Sequence, residues 1–260
     1  MAKWAADVAA VVNQGGLDGV FIDGYRGTGD ASWAAGLIPK AKASTKAAWV
    51  KGAWEDTGAA LAAAIPHAIR LPNGNSLAHP YIDRPPGYNA ISIEFFAAAQ
   101  IPLLQKLAQE KTFVEVHSYI GDNRALFNST LAAYLVSFGE NAFFGAGNTW
   151  DTCESWLVDY QIAEYHKPLG MPLGVAMKKK EGNGGVTYTR KFASGTHVSI
   201  TVPLKYMCKA VPGGSVDCRG AGDHPMGAAG YKLPTSCVWW SDGSMTSSGG
   251  ELLLCSTGAG

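Results

Sequence analysis

Charge is scarce in this chain. Only 16% of its 260 residues are Asp, Glu, Lys or Arg, and the two signs cancel to a formal net charge of +0. So balanced a surface exerts no general pull on nucleic acid or on an anionic membrane; neither is expected as a partner, and a neutral one is more natural. Apolar runs long enough to span a bilayer are missing, as is an N-terminal stretch with the length and flanks of a signal peptide. CxxC spacing is missing too, which argues against the common zinc sites, so no metal is expected. The GxSxG, HExxH, P-loop and dinucleotide-binding fingerprints do not occur either. Their absence disfavours α/β-hydrolase, zincin, NTPase and dehydrogenase chemistry, and no organic cofactor is expected.

Cysteine is present but lopsided: of Cys153, Cys208, Cys218, Cys237 and Cys255, four follow residue 200. That bias reads as a disulfide-stapled C-terminal region of a secreted protein, or equally as unpaired intracellular thiols. Asn128-Ser129-Thr130 fits a glycosylation sequon, a triplet too common by chance to carry weight.

The stretch with the most direction is Leu17-Asp18-Gly19-Val20-Phe21-Ile22-Asp23-Gly24. Three apolar residues with strand preference between two Asp-Gly pairs predict a short buried strand with Asp23 at its C-terminal edge. In a parallel α/β sheet that edge faces the ligand crevice. Before it, Trp4 to Val12 has helical spacing and is stopped by Asn13-Gln14-Gly15-Gly16. After it, Ser44-Thr45 open an Ala/Trp-rich helix running to about Ile65, and His67 to Leu71 is the next strand, ending at Pro72-Asn73-Gly74-Asn75. Ala78 to Tyr88 reads as a Pro-rich loop, and Ile91 to Lys111 as an amphipathic helix that Pro102 kinks or divides. Thr112 to Tyr119 is a strand carrying Glu115 and His117 on one face. Asn128 to Phe138 (helix), Asn141 to Phe144 (strand), Trp150 to His166 (helix) and Pro172 to Met177 (strand) complete the alternation.

Five strands separated by helices predict right-handed parallel crossovers. A closed (β/α)8 barrel has eight strands in about 250 residues, whereas only 18 residues precede Gly19 here. The expected fold is therefore a (β/α)8-type TIM barrel, incomplete at its N-terminus, over residues 1–202. From Tyr188 to Val202 the chain reads as a hairpin turning at Ser194-Gly195. Residues 203–260, rich in Gly and Cys around Trp239-Trp240, are expected to form a small β appendage.

Glycoside hydrolysis needs two carboxyl groups flanking a sugar bond, one held protonated and the other ionised. Asp23 and Glu115 are the candidate catalytic pair: Glu115 the acid, in an apolar strand that raises its pKa, and Asp23 the nucleophile or base in solvated Gly-rich surroundings. Arg26, Asn73, Asn75, His117 and Tyr119 are candidates to hydrogen-bond sugar hydroxyls, and Tyr25 and Trp150 to stack on sugar faces. The competing reading makes Glu115 half of a structural ion pair with Arg70 or Arg124. A non-catalytic carbohydrate-binding or truncated, inactive derivative of the barrel is the alternative function. A Schiff-base aldolase is weaker still, because Lys178 has charged neighbours rather than the apolar pocket that chemistry needs.

A resemblance rests on Gly16 to Gly24, the strand end at Asn73, Phe113-Val114-Glu115, the turn Pro168-Leu169-Gly170 and the closing Tyr188 to Gly195. In order and spacing these resemble the C-terminal half of the glycoside-hydrolase-like TIM-barrel families, over about residues 1 to 202. The resemblance implies Asp23 and Glu115 as the acidic pair and a poly- or oligosaccharide as substrate.

Overall fold

A computed structural model describes residues 2–23, 40–73, 86–120, 123–147, 162–182, 184–207, 209–210, 216–217 and 233–248. The first element is α1 (Ala2–Gly15), whose buried residues Ala5, Ala9 and Val12 recur at helical spacing and so line one face. Gly16, at a φ of 60°, ends it, and the Leu17 amide donates to the Val12 carbonyl across the stop. Next comes β1 (Gly19–Ile22), then α2 (Ala43–Ala64) and β2 (Ile69–Pro72). β1 and β2 pair in parallel, with Gly19 opposite Ile69 and Ile22 opposite Pro72. Both helices pack on one side of this pair, enclosing Val20, Ile22, Leu61 and Ile65 with Tyr88.

A second parallel sheet runs in the order β3 (Ala90–Ile93), β4 (Phe113–Tyr119), β5 (Ala142–Gly147). α3 (Ile101–Gln109) connects the first two strands and α4 (Arg124–Leu135) the last two. Pro102 does not kink a helix here but sits in the first turn of α3, where its missing N–H is no loss. Asn123 caps α4, its side chain accepting from the Leu126 amide at 2.9 Å. Residues Leu126 through Leu135 of α4 are all buried. Asn128 is among them and donates to the Ser247 carbonyl at 2.7 Å, so the sequon lies inside the fold rather than on its surface.

β2 lies beside β3 with no ladder between them, and side chains join them instead. Arg70 is 7% exposed. Its Nε donates to the Gly87 carbonyl at 2.6 Å, and its Nη1 to the carbonyls of Ile65, Ala68 and Pro66. Asn89 accepts from the Arg70 amide at 2.8 Å and donates to the Ala68 carbonyl at 3.0 Å. Gly58 of α2 completes the junction: a Cβ there would come 2.3 Å from the Pro86 carbonyl oxygen, so only glycine allows this approach.

The largest sheet is antiparallel. It comprises β6 (Met177–Lys180), β7 (Gly185–Lys191) and β8 (His197–Pro203), then, past the two-residue pair β9 (Lys209–Ala210) and β10 (Val216–Asp217), β11 (Thr235–Trp239) and β12 (Met245–Ser247). The strand order is β12-β11-β8-β7-β6. β11 pairs with β8 along five residues, from Thr235 opposite Thr201 to Trp239 opposite His197. Cys237 is disulfide-bonded; the other four cysteines lie outside the described residues.

The barrel expectation is therefore corrected. Among the described residues no sheet closes: there are four α-helices, two small parallel sheets, the antiparallel pair β9–β10 and a five-stranded antiparallel sheet. A barrel requires each strand to bond its neighbour all the way round, and here the β2–β3 boundary has no ladder. The parallel strand expected over Pro172 to Met177 does not form. Pro172 makes a single antiparallel bridge to Phe192, and β6 begins only at Met177, opposite Thr189 of β7. Met171, Leu173, Val175 and Met177 alternate as a buried strand would, yet they are 59–81% exposed because no described element packs over them.

Candidate functional site

The site grows out of β4. Along this strand Val114, Val116 and Ser118 are buried against the helices, which turns Glu115, His117 and Tyr119 to the other face. Register then chooses their neighbours: Ser92 of β3 stands opposite Glu115, and Gly145 of β5 opposite His117. The Ser92 hydroxyl donates to Glu115 Oε2 at 2.5 Å. One residue past β3, Glu94 accepts a hydrogen bond from the Tyr119 hydroxyl at 2.9 Å.

The backbone turns sharply after Glu94. Phe95 has a φ of 56°, a left-handed conformation that costs a bulky residue about 1–3 kcal/mol and recurs at functional sites. Contacts to β4 hold it there. The Phe95 ring lies 4.5 Å from that of Tyr119, the Phe96 amide donates to the His117 carbonyl at 3.0 Å, and the Ser118 hydroxyl donates to the Phe96 carbonyl at 2.8 Å.

Asp23 and Asn73 occupy the equivalent positions past β1 and β2. The Asn73 amide extends the ladder to the Ile22 carbonyl at 2.9 Å, and its Nδ2 donates to Asp23 Oδ1 at 2.9 Å. Asn73 is 1% exposed with no partner on Oδ1 among the described residues, whereas Asp23 is exposed.

Burial is the main electrostatic influence. It raises the Glu115 carboxyl above its ordinary 4.5; the Ser92 hydrogen bond opposes this and the charge of Glu94 adds to it. Burial lowers the His117 imidazole below 6.5, with Glu94 opposing. The Tyr119 hydroxyl is pushed far up by burial, then by its hydrogen bond to Glu94, then by the fields of Glu94, Glu115 and Asp23. Tyr119 is thus the point at which carboxylates borne by β4 and by the ends of β1 and β3 act together.

A stability prediction follows from Glu115. A carboxyl whose folded pKa lies above its unfolded value favours the fold while protonated, and that contribution is lost as pH rises from 4.5 through the folded pKa. The urea midpoint of the wild type is expected to fall over that window, and that of Glu115→Gln to fall less. Superimposable pH profiles for the two proteins would remove the claim.

Of the expected site residues, Asp23, Asn73, Glu115, His117 and Tyr119 are described and lie along the strand ends and the shared face of β4. Tyr25, Arg26, Asn75 and Trp150 lie outside the described residues. The ion-pair reading of Glu115 fails: Arg70 is occupied by backbone carbonyls, and Arg124 pairs with Glu164. Glu94 and Ser92 were missed by sequence reasoning. The signal was there, since Ile91-Ser92-Ile93-Glu94 alternates like a strand and ends in a carboxylate just as Val20 to Asp23 does.

A search of curated proteins found no match. The profile of the hypothetical glycosyl hydrolase family 15 matches residues 2–196, three quarters of the chain and every described residue of the site. With a match of that extent, the chain belongs to the hypothetical glycosyl hydrolase family 15.

Proposed function

We propose that this protein hydrolyses an O-glycosidic bond in an oligo- or polysaccharide, with Glu115 as general acid and a carboxylate at the strand ends as its partner. The observation that carries this reading is that Glu115 and Tyr119 share one face of β4 while the Tyr119 hydroxyl donates to Glu94 at 2.9 Å, with burial favouring the protonated form of Glu115 and the charge of Asp23 reaching Tyr119. Glu115 donates its proton to the glycosidic oxygen as the bond to the anomeric carbon breaks. The ionised partner then either attacks that carbon, forming a covalent glycosyl intermediate that water releases, or deprotonates an attacking water. Asp23, exposed and oriented by Asn73, is the assigned partner. Glu94 is the second candidate, because its field rather than that of Asp23 is felt at Glu115.

Kinetics on a panel of chromogenic glycosides separates the two. Asp23→Asn is expected to lower kcat by roughly 10³-fold, within the range for loss of a positioned acid–base group. Glu94→Gln removes a negative charge that raises the Glu115 pKa, so the alkaline limb of the pH–rate profile should move to lower pH. A 10³-fold loss in Glu94→Gln with Asp23→Asn near wild type exchanges the two roles. Activity that survives both Asp23→Asn and Glu115→Gln ends the catalytic reading, and sugar binding without hydrolysis of any substrate favours the non-catalytic alternative.

A further inference from the structure

Beside Glu115 and His117, β5 presents surface that the proposed chemistry does not use. Phe143 stands opposite Glu115 in register and Gly145 opposite His117, so both share the face of those side chains. Phe143 is 55% exposed, and one side of its ring is held by Phe113 at a centroid distance of 5.0 Å. Above Gly145 there is open space among the described residues: a Cβ built there meets none of their atoms within 4 Å, and its φ lies outside the left-handed region. A supported, half-exposed aromatic ring followed by a gap about 7 Å along the strand is thus continuous with the candidate acid.

We propose that Phe143 and Gly145 form a platform for a second sugar ring, next to the ring whose bond is broken. This rests on the glycosidase reading for its ligand class and adds the substrate's shape. An aromatic face carries partial negative charge and attracts weakly positive C–H groups. A pyranose offers C–H groups on both faces when its hydroxyls are equatorial, as in gluco-configured sugars, and an axial hydroxyl interrupts the face to which it points. The platform carries no charge and no fixed hydrogen-bonding side chain, so it selects for that apolar face. The gap over Gly145 gives the ring its thickness, and the substrate is then a chain of gluco-configured rings rather than a monosaccharide glycoside.

The test compares wild type, Phe143→Ala and Gly145→Leu. Affinity is read by calorimetric titration with cellohexaose and with a galacto-configured hexasaccharide, and turnover on the hexasaccharides and on nitrophenyl monosaccharides. Circular dichroism checks the fold. Both substitutions fall on exposed ring or open space, and Phe143→Ala keeps the test alone if Gly145→Leu misfolds. Wild type should bind cellohexaose at least tenfold more tightly than the galacto chain. Each variant should lose at least tenfold in cellohexaose affinity while nitrophenyl turnover stays within twofold. Failure of wild type to bind cellohexaose, or variants that bind it as wild type does, overturns the platform even if nitrophenyl glycosides are hydrolysed. Affinity lost in the variants of a protein that hydrolyses nothing upholds the platform and removes the glycosidase reading alone.

Discussion

Glu115→Gln is expected to lower kcat by roughly 10²–10⁴-fold, the contribution typical of a positioned general acid, but only on substrates whose leaving group needs a proton. Glutamine keeps the shape and can still accept from the Ser92 hydroxyl, so the Ser92 contact seen at 2.5 Å need not be lost with the charge. What disappears is an ionisable carboxyl whose proton burial makes harder to lose. Alkyl glycosides and natural sugar linkages leave as strongly basic alkoxides and require that proton in the transition state. Dinitrophenyl glycosides leave as weak bases and do not. Across a series of aryl and alkyl glycosides, the defect should therefore grow steeply with leaving-group pKa, and the alkaline limb of the wild-type pH profile should be absent from the variant. A loss of equal size for every leaving group would sink the acid assignment and make Glu115 a positioning residue.

The largest expected effect on stability belongs to Arg70→Met. The guanidinium satisfies the carbonyls of Gly87, Ile65, Ala68 and Pro66 from a position that is 7% exposed. Methionine fills much of the volume but donates nothing: the half-buried Gly87 carbonyl and that of Pro66 lose this donor, while the Ala68 carbonyl keeps only Asn89 and the Ile65 carbonyl only the Ala68 amide. Each carbonyl left without a donor costs about 1–3 kcal/mol, partly recovered where water enters. A net loss of about 3–4 kcal/mol is expected in urea denaturation, an uncommonly large value for one substitution. Arg70→Lys should recover less than half of it, because an ammonium on a flexible stem cannot reproduce the planar fork. Since Arg70 joins β2 to the segment entering β3, activity should fall along with stability, as Asp23 and Asn73 lose their position relative to Glu94 and Glu115. A change below about 1 kcal/mol would show that this junction is held by other contacts.

How legible the fold was depended on how local the signal was. β1, β4 and β5 declare themselves by Val, Ile and Phe between turn residues, and a carboxylate at a strand edge can be inferred without tertiary information. β3 was hidden because Ile91 and Ile93 run on into Phe95 and Phe96, so apolar residues at short intervals merged with the true helical spacing of α3. The cost of that merger was Glu94. Residues 171–177 failed in the opposite way: alternation was real, but burial depends on what covers a strand, and no local pattern reports that. Closure of a sheet is the least local property of all. It was inferred from the parallel alternation and from likeness, whereas the junction that interrupts the ladders rests on Arg70, Asn89 and Gly58, none of which announces its partners.

The surroundings of α4 imply an order of events during synthesis. This helix is buried along ten consecutive residues, in part by β11 and β12, and Asn128 bonds the Ser247 carbonyl across 119 positions of chain. When α4 leaves the ribosome, those covering strands are about a hundred residues from being made, a delay of roughly 5–20 s at 5–20 residues per second. For that interval the apolar helix stands open on a nascent chain, joined towards its end by one edge of β8. Chaperone dependence in expression, and aggregation of chains ended at Pro203, both follow from the late arrival of two short strands.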